Sequence, residues 1–288
     1  MRLTSIFAGL IFATQSTAAP NVLTDLAPIH GLVSAVMGDI GAPTLLLPPS
    51  ADAHSYALRP SDARTLSNAK LIIWVGHDLT PWLADPIATL ATSAVTLELL
   101  ETAGWDQRDL GGHDDHGHGD IDPHAWIDPA VAAVWVGHIA DQLADIDPAN
   151  AETYQANAQN YATDLMQLRT ALKARLAPAT GQPIIWPHDT YGYFEDAFDL
   201  MSVATIADAA ANSPGPAHIA RLRSLPDVAC VLADPEISDR WTAVIVEGTS
   251  ANSGMIDLLG ADLPLGTDHY INTLQAMADT VTACVTGK

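Results

Sequence analysis

From Pro148, which opens it, to about Leu176, the chain contains no further glycine or proline. Tyr154, Tyr161, Leu165, Leu168 and Leu172 recur along it at helical spacings. A single helix over 148–176 would reach roughly 40 Å, longer than most globular helices. Placed midway along 288 residues, such a rod reads as a rigid connector between two lobes, and what flanks it must fold around it.

Both flanks alternate strand and helix. Residues 21–24, 43–47 (TLLLP), 71–76 (LIIWVG) and 95–99 (VTLEL) read as strands. Helices are predicted between them at 29–37, from Ser61 or Asp62 to 69, and from 81 to about 91. Asp128-Pro129 supplies an N-cap and a first-turn proline for a helix through 143. After the long helix, PIIWP (183–187), MSVATI (201–206) and VACVLA (228–233) resume the strand pattern. No internal sequence repeat is evident. The expected fold is α/β, with two lobes of parallel-type sheets flanked by helices and joined by the backbone helix: 19–147, then 148–176, then 177–288.

Residues 1–18, MRLTSIFAGLIFATQSTA, carry one arginine, a short apolar run and small residues at Ser16 and Ala18. That is the layout of a secretory signal peptide cut after Ala18. A membrane anchor would need about 20 apolar residues. No cysteine near the cut suggests a lipid anchor, so the mature chain is expected to be exported and soluble. The formal charge is −22, and phosphate binding needs a basic surface, so nucleic acid is not an expected ligand. A negative field instead concentrates cations. Cys230 and Cys284 form an even pair, which in an oxidising compartment reads as one disulfide, with two buried thiols as the alternative.

The chemistry is concentrated at HDDHGHGDIDPHAWIDP, residues 113–129, within the segment 109–129 that also carries Gly111 and Gly112. His113, His116 and His118, with Asp114, Asp115 and Asp120, form a metal-capable run in a glycine-rich loop, 109–120. A solvated loop that binds metal only incidentally is the plainer reading. Three further histidines share a setting: His54 in PPSADAHSYALRPSD, His124 in DIDPHAWIDP, and His188 in IIWPHDTYGYF. In open parallel α/β sheets ligands bind outside the carboxyl ends of strands, and His54 and His188 follow strands directly. Three neutral imidazoles and a carboxylate make a tetrahedral zinc site, although spacing alone leaves open whether these three converge. His30, His77, His138 and His218 read by default as surface or hydrogen-bonded residues.

These motifs, in this order, resemble the zinc-binding and manganese-binding solute receptors of bacterial ABC importers, the cluster A-I or cluster 9 binding proteins. ADAHSYALRPSDARTLSNAKLIIWVG resembles the first ligand loop with its helix and strand, DPHAWIDP the second loop, and WPHDTYGYF the third. GTDHYINTLQAMADTV resembles the segment carrying the family's last aspartate. The resemblance spans essentially the whole mature chain and implies His54, His124, His188 and Asp268 as ligands. His269 is a competing ligand, and Glu236 in ADPEISDRW reads as structural. Thr80-Pro81-Trp82 departs from the family, which often has a glutamate before that tryptophan.

The manganese receptors tend to carry glutamate at the third position. His188 there suits zinc, a borderline metal. A histidine-rich insertion before the second ligand loop is common in the zinc receptors, which implies that 109–120 acts as an auxiliary collector. The resemblance implies a monomer that captures Zn(II) between its lobes, is not an enzyme, and hands the ion to an ABC permease in the membrane. A zinc-donating chaperone could load it through the loop. Imidazoles coordinate only when neutral, so affinity is expected to fall as pH drops through about 6. A periplasmic zinc chaperone or buffer without a permease, a manganese receptor, and a secreted zinc hydrolase are the other readings. The chain has no HExxH motif, and a fourth protein ligand would close the site to catalysis.

Overall fold

The computed structural model describes residues 18–109, 121–207, 213–237 and 239–288. The first lobe comprises β1 (Val22–Thr24), α1 (Ala27–Met37), β2 (Thr44–Leu45), α2 (Pro60–Asn68), β3 (Leu71–Trp74), α3 (Pro81–Leu90), β4 (Val95–Glu98) and α4 (Pro129–Ile146). Its strands are all parallel, in the order β2-β1-β3-β4. β3 is buried at every residue, as a parallel strand covered on both faces must be. Pro60, Pro81 and Pro129 each sit in a first helical turn, where a missing N–H costs no hydrogen bond. The Asp128 carboxylate caps α4 by accepting the Ala130 N–H at 2.8 Å, as its sequence predicts. Asp62 differs slightly from expectation. It lies inside the first turn of α2 and accepts the Arg59 N–H at 2.8 Å, so the helix starts a residue or two earlier.

The connector is α5 (Ala151–Leu176), 26 residues long, preceded by a 3-10 turn at Pro148–Asn150. Tyr154, Ala158, Tyr161, Leu165, Leu168, Leu172 and Leu176 form its buried stripe. The second lobe follows: β5 (Pro183–Trp186), α6 (Gly192–Phe198), β6 (Met201–Thr205), α7 (Pro216–Arg223), β7 (Cys230–Ala233), α8 (Asp239–Val246), β8 (Asn252–Met255) and α9 (His269–Thr286). Its parallel strands run β6-β5-β7-β8, the same order as the first sheet, without a repeated sequence to announce it. β8, with the sequence NSGM, is not predicted. It has no β-branched or aromatic residue and is held by its pairing to β7.

α5 packs on α1 and α4 on one side and on α6 and α9 on the other. One continuous core therefore runs from Leu23 and Ile72 through Leu165 to Ile184, Phe194 and Tyr270. A smaller cluster around Ile185, Leu222, Val231 and Ile245 belongs to the second lobe alone. The lobes are also tied by buried hydrogen bonds: Trp126 Nε1 donates to the Leu258 carbonyl at 3.2 Å, and the Tyr270 hydroxyl to the Trp126 carbonyl at 2.6 Å. α1 and α9 approach so closely that a Cβ on Gly31 would lie 3.0 Å from the Tyr270 nitrogen.

Cys230 on β7 and Cys284 on α9 are disulfide-bonded across 54 residues of sequence. The bond fastens the last helix to the second sheet. Closing a loop of that length restricts the unfolded chain by about 4 kcal/mol in the entropic account. The double variant Cys230→Ala/Cys284→Ala should thus unfold at clearly lower denaturant, by about that free energy, with far-UV circular dichroism of the folded state unchanged.

Candidate metal centre

Each of the three expected imidazoles is set by a loop at one end of the sheets. His54 follows β2, and its loop is tied twice. The His54 N–H donates to Asp52 Oδ1 at 2.8 Å, while Trp82 Nε1 donates to the carbonyl of Ala53 at 2.7 Å. Trp82 is the residue of the Thr80-Pro81-Trp82 departure, so here the tryptophan itself anchors the first ligand loop. His124 is buried just before α4. Its backbone N–H donates to Asp122 Oδ1 at 3.0 Å, and its Nδ1 lies 2.9 Å from the same oxygen, which leaves Nε2 as the free coordinating atom. The His54 and His124 ring centroids are 5.6 Å apart.

His188 follows β5 and is only 1% exposed. Its Nδ1 is 2.7 Å from the Thr190 hydroxyl. Its Nε2 has Asp234 Oδ2 at 2.9 Å and Glu236 Oε2 at 3.3 Å. By distance both are ion pairs, but neither is aligned for a hydrogen bond, so Nε2 is buried without a directed partner. Burial works against a charged ring, yet the two carboxylates outweigh it and hold the His188 imidazole up at about 9. Burial, followed by the neighbouring His124, pushes His54 the other way, with Glu236, Asp52 and His188 also within its field.

The expected carboxylate is different. Asp268 is exposed at the turn before α9, where its charge acts on Tyr161 of the connector helix, and it does not line the cleft. His269 is buried with Nδ1 3.1 Å from the Pro264 carbonyl and Nε2 2.9 Å from that of Leu259, so both nitrogens are engaged in holding a loop. The carboxylates at the cleft are Asp234, Glu236 and Asp257. With His54 they line a cavity of about 340 Å³. Glu236, read from sequence as structural, thus faces the imidazoles. Asp234 directly follows β7, accepts the Ile237 N–H at 2.8 Å and the Tyr191 hydroxyl at 3.1 Å, and is nearly fully buried. Asp257 follows β8. It accepts the N–H groups of Leu259 and Gly260 on Oδ1 at 2.8 and 3.0 Å and of Ala261 on Oδ2 at 2.7 Å, which leaves about one lone-pair site, on Oδ2, free. The signal that could have found it was the strand ending at Met255.

Among the described residues, no three cleft donors bring one ligand atom each within 4.8 Å of one another. A shared tetrahedral ion with bonds near 2.0–2.3 Å requires them to close further. The one group that meets this spacing is His77, Glu98 and Glu101 on the surface of the first lobe. There Glu98 Oε1 already accepts the His77 N–H at 2.7 Å and faces its ring Nδ1 at 2.6 Å, an ion pair satisfied within itself. His138 and His218 bond the carbonyls of Ala103 and Thr205, both at 2.9 Å, and His30 lies beside Ser34. His113, Asp114, Asp115, His116, His118 and Asp120 lie outside the described residues.

Two α/β lobes on one long helix, with imidazoles and carboxylates gathered in the crease, define a two-lobed metal-binding receptor. Residues 22–284 match the family model for zinc-uptake complex component A, periplasmic. The chain is 33% identical over 299 residues to the high-affinity zinc uptake system protein ZnuA of Paracoccus denitrificans (strain Pd 1222), covering 92% of each. It is 30% identical over 293 residues to the protein of the same name from Yersinia pestis, covering 93% of this chain and 92% of that one. Among solved structures, a crystal structure of ZnuA is similar at TM-score 0.82 and 20% identity, over 92% of this chain and 99% of the other. A zinc-bound ZnuA deletion mutant gives TM-score 0.78 at 20% identity, over 92% and 98%. These structural likenesses carry the fold. The chain belongs to the zinc-uptake complex component A family, periplasmic zinc-binding receptors of ABC zinc uptake systems. Among the described residues, no helix is long and apolar enough to cross a membrane.

The geometry separates the two aspartates by experiment. Asp268→Ala should leave zinc affinity within about twofold, whereas Asp257→Ala should weaken it by more than the roughly 10–100-fold typical of an outer-shell loss. Competition against a zinc chelator measures both.

Proposed function

We propose that the protein captures Zn(II) in the crease with His54 and His124 from the first lobe, and with His188 and a second-lobe carboxylate, Asp257 foremost. The observation that carries this reading is the buried His188 Nε2, which has two carboxylates at ion-pair distance and no aligned partner. A metal arriving there replaces the proton, gains the lone pair, and stays close to Asp234 and Glu236. Three imidazoles with one carboxylate suit zinc better than a harder cation. Because the donors come from both lobes, binding draws them together. A fourth protein donor fills the tetrahedron and leaves no place for an activated water, which favours a receptor over a hydrolase.

In this reading residues 1–18 are removed on export. Residues 19–147 and 177–288 act as the capturing lobes about the 148–176 connector, and the mature monomer delivers its ion to the permease of the importer. The 109–120 segment, with His113, His116, His118, Asp114, Asp115 and Asp120, serves as an auxiliary collector able to take zinc from a donor chaperone.

A zinc titration of the metal-stripped protein against a competing chelator tests this, repeated with His188→Ala and with residues 109–120 deleted. The expected result is one tight site that survives the deletion and is weakened at least 100-fold by His188→Ala, since a first ligand should cost more than the 10–100-fold of an outer-shell partner. Tight binding that vanishes with 109–120 and is indifferent to His188 would overturn the interlobe site.

A further inference from the structure

Just upstream of His124 the chain makes a contact that reaches both lobes. Asp109 and Ile121 pair in an isolated antiparallel bridge, and the Asp122 N–H donates to the Arg108 carbonyl at 2.7 Å. From this root the Arg108 guanidinium turns inward. Nη1 donates to Asp122 Oδ2 at 3.0 Å, and Asp122 is fully buried. The other oxygen of that carboxylate, Oδ1, is the one that holds His124.

The same arginine crosses to the second lobe. Its backbone N–H donates to the Tyr193 hydroxyl at 2.8 Å, and its Nε lies 3.3 Å from Asp196 Oδ2. The guanidinium rests against the backbone of Gly192, where a Cβ would overlap it. Gly192, Tyr193 and Asp196 all belong to α6, which begins just after the His188 loop. Burial works against the charge of Arg108, but Asp122, Asp196 and Asp189 outweigh it.

We propose that Arg108 is a positioning residue for zinc capture: it fixes Asp122 so that His124 keeps Nε2 on the ion, and it fastens that assembly to α6 beside the His188 loop. The proposal rests on the interlobe reading above. A buried carboxylate with only an imidazole beside it has an unpaired oxygen and can rotate. The guanidinium occupies Oδ2, so Oδ1 stays on Nδ1 and the ring keeps the tautomer that presents Nε2. A lysine supplies the charge but not the fork that spans Asp122 and Asp196 at once.

The test uses the full mature chain with Arg108→Ala, Arg108→Lys, Gly192→Ala, Asp122→Asn and the double variant Arg108→Ala/Asp122→Asn, alongside His188→Ala. Zinc affinity by chelator competition and the visible spectrum of the Co(II)-loaded protein are the readouts. Arg108→Ala should weaken zinc binding by about 10–100-fold and change the cobalt spectrum, with Arg108→Lys recovering part of the loss. Gly192→Ala removes no polar group and meets only the flexible end of the arginine, so it folds even where Arg108→Ala does not. It should move both readouts in the same direction. The double variant should be no weaker than Asp122→Asn alone.

Wild-type affinity and an unchanged cobalt spectrum in Arg108→Ala and Gly192→Ala would overturn the proposal. So would a lowered thermal midpoint without a spectral change, or fully additive losses in the double variant. If His188→Ala weakens binding and the Arg108 variants do not, only the positioning role falls. If His188→Ala binds zinc as tightly as the parent, the interlobe site falls and takes the role of Arg108 with it.

Discussion

The rest of the molecule depends on the two lobes sharing a core. α5 lays one apolar stripe against helices of both lobes, and the resulting cluster continues from the first sheet to the second without a break. Swinging one lobe away from the other would expose leucines and tyrosines worth roughly 1.5–3 kcal/mol each in burial. It would also break the buried bonds of Trp126 and Tyr270 across the crease. Wide opening is therefore costly, and what remains adjustable is the set of loops at the sheet ends. His54, His124, His188, Asp234, Glu236 and Asp257 sit there.

On that shared core, each loop at the crease is tethered by a different device. His54 is held through backbone contacts to Asp52 and Trp82, His124 through its own ring to Asp122, and His188 through Thr190. Asp257 is gripped by three N–H groups of the loop it opens, and His269 secures the far end of that loop through the Leu259 and Pro264 carbonyls. The ring contacts orient the His124 and His188 imidazoles in advance, and such preorganisation reduces the ordering cost of binding.

The sequence made the architecture legible where periodicity was strong. The 148–176 stripe, LIIW of β3, PIIW of β5 and the Asp128-Pro129 cap each carry a local physical signature, and each element stands within a few residues of its expected place. β8 carries none, because NSGM becomes a strand only through pairing with β7. That gap had a consequence at the site. With β8 unread, the rule that ligands lie beyond the carboxyl ends of strands could not point to Asp257, and Asp268 was reached instead through the resemblance of GTDHYINTLQAMADTV to the family's last segment. The three histidines were readable as candidates, but Asp234 and Glu236 lie some 46 to 48 residues beyond His188 in sequence. Their convergence on one ring nitrogen is a product of the strand order, in which β7 lies beside β5.

That convergence explains how so acidic a crease is compatible with burial. Asp234 is 2% exposed, and an unpaired carboxylate at that depth would cost several kcal/mol. The pair it forms with a protonated His188 compensates that charge, and Glu236 adds to the field that keeps the proton in place. In the reading proposed above, a divalent ion in the crease would take over the role of that positive charge. The same carboxylates thus hold a buried imidazole in place and set a negative field at the crease.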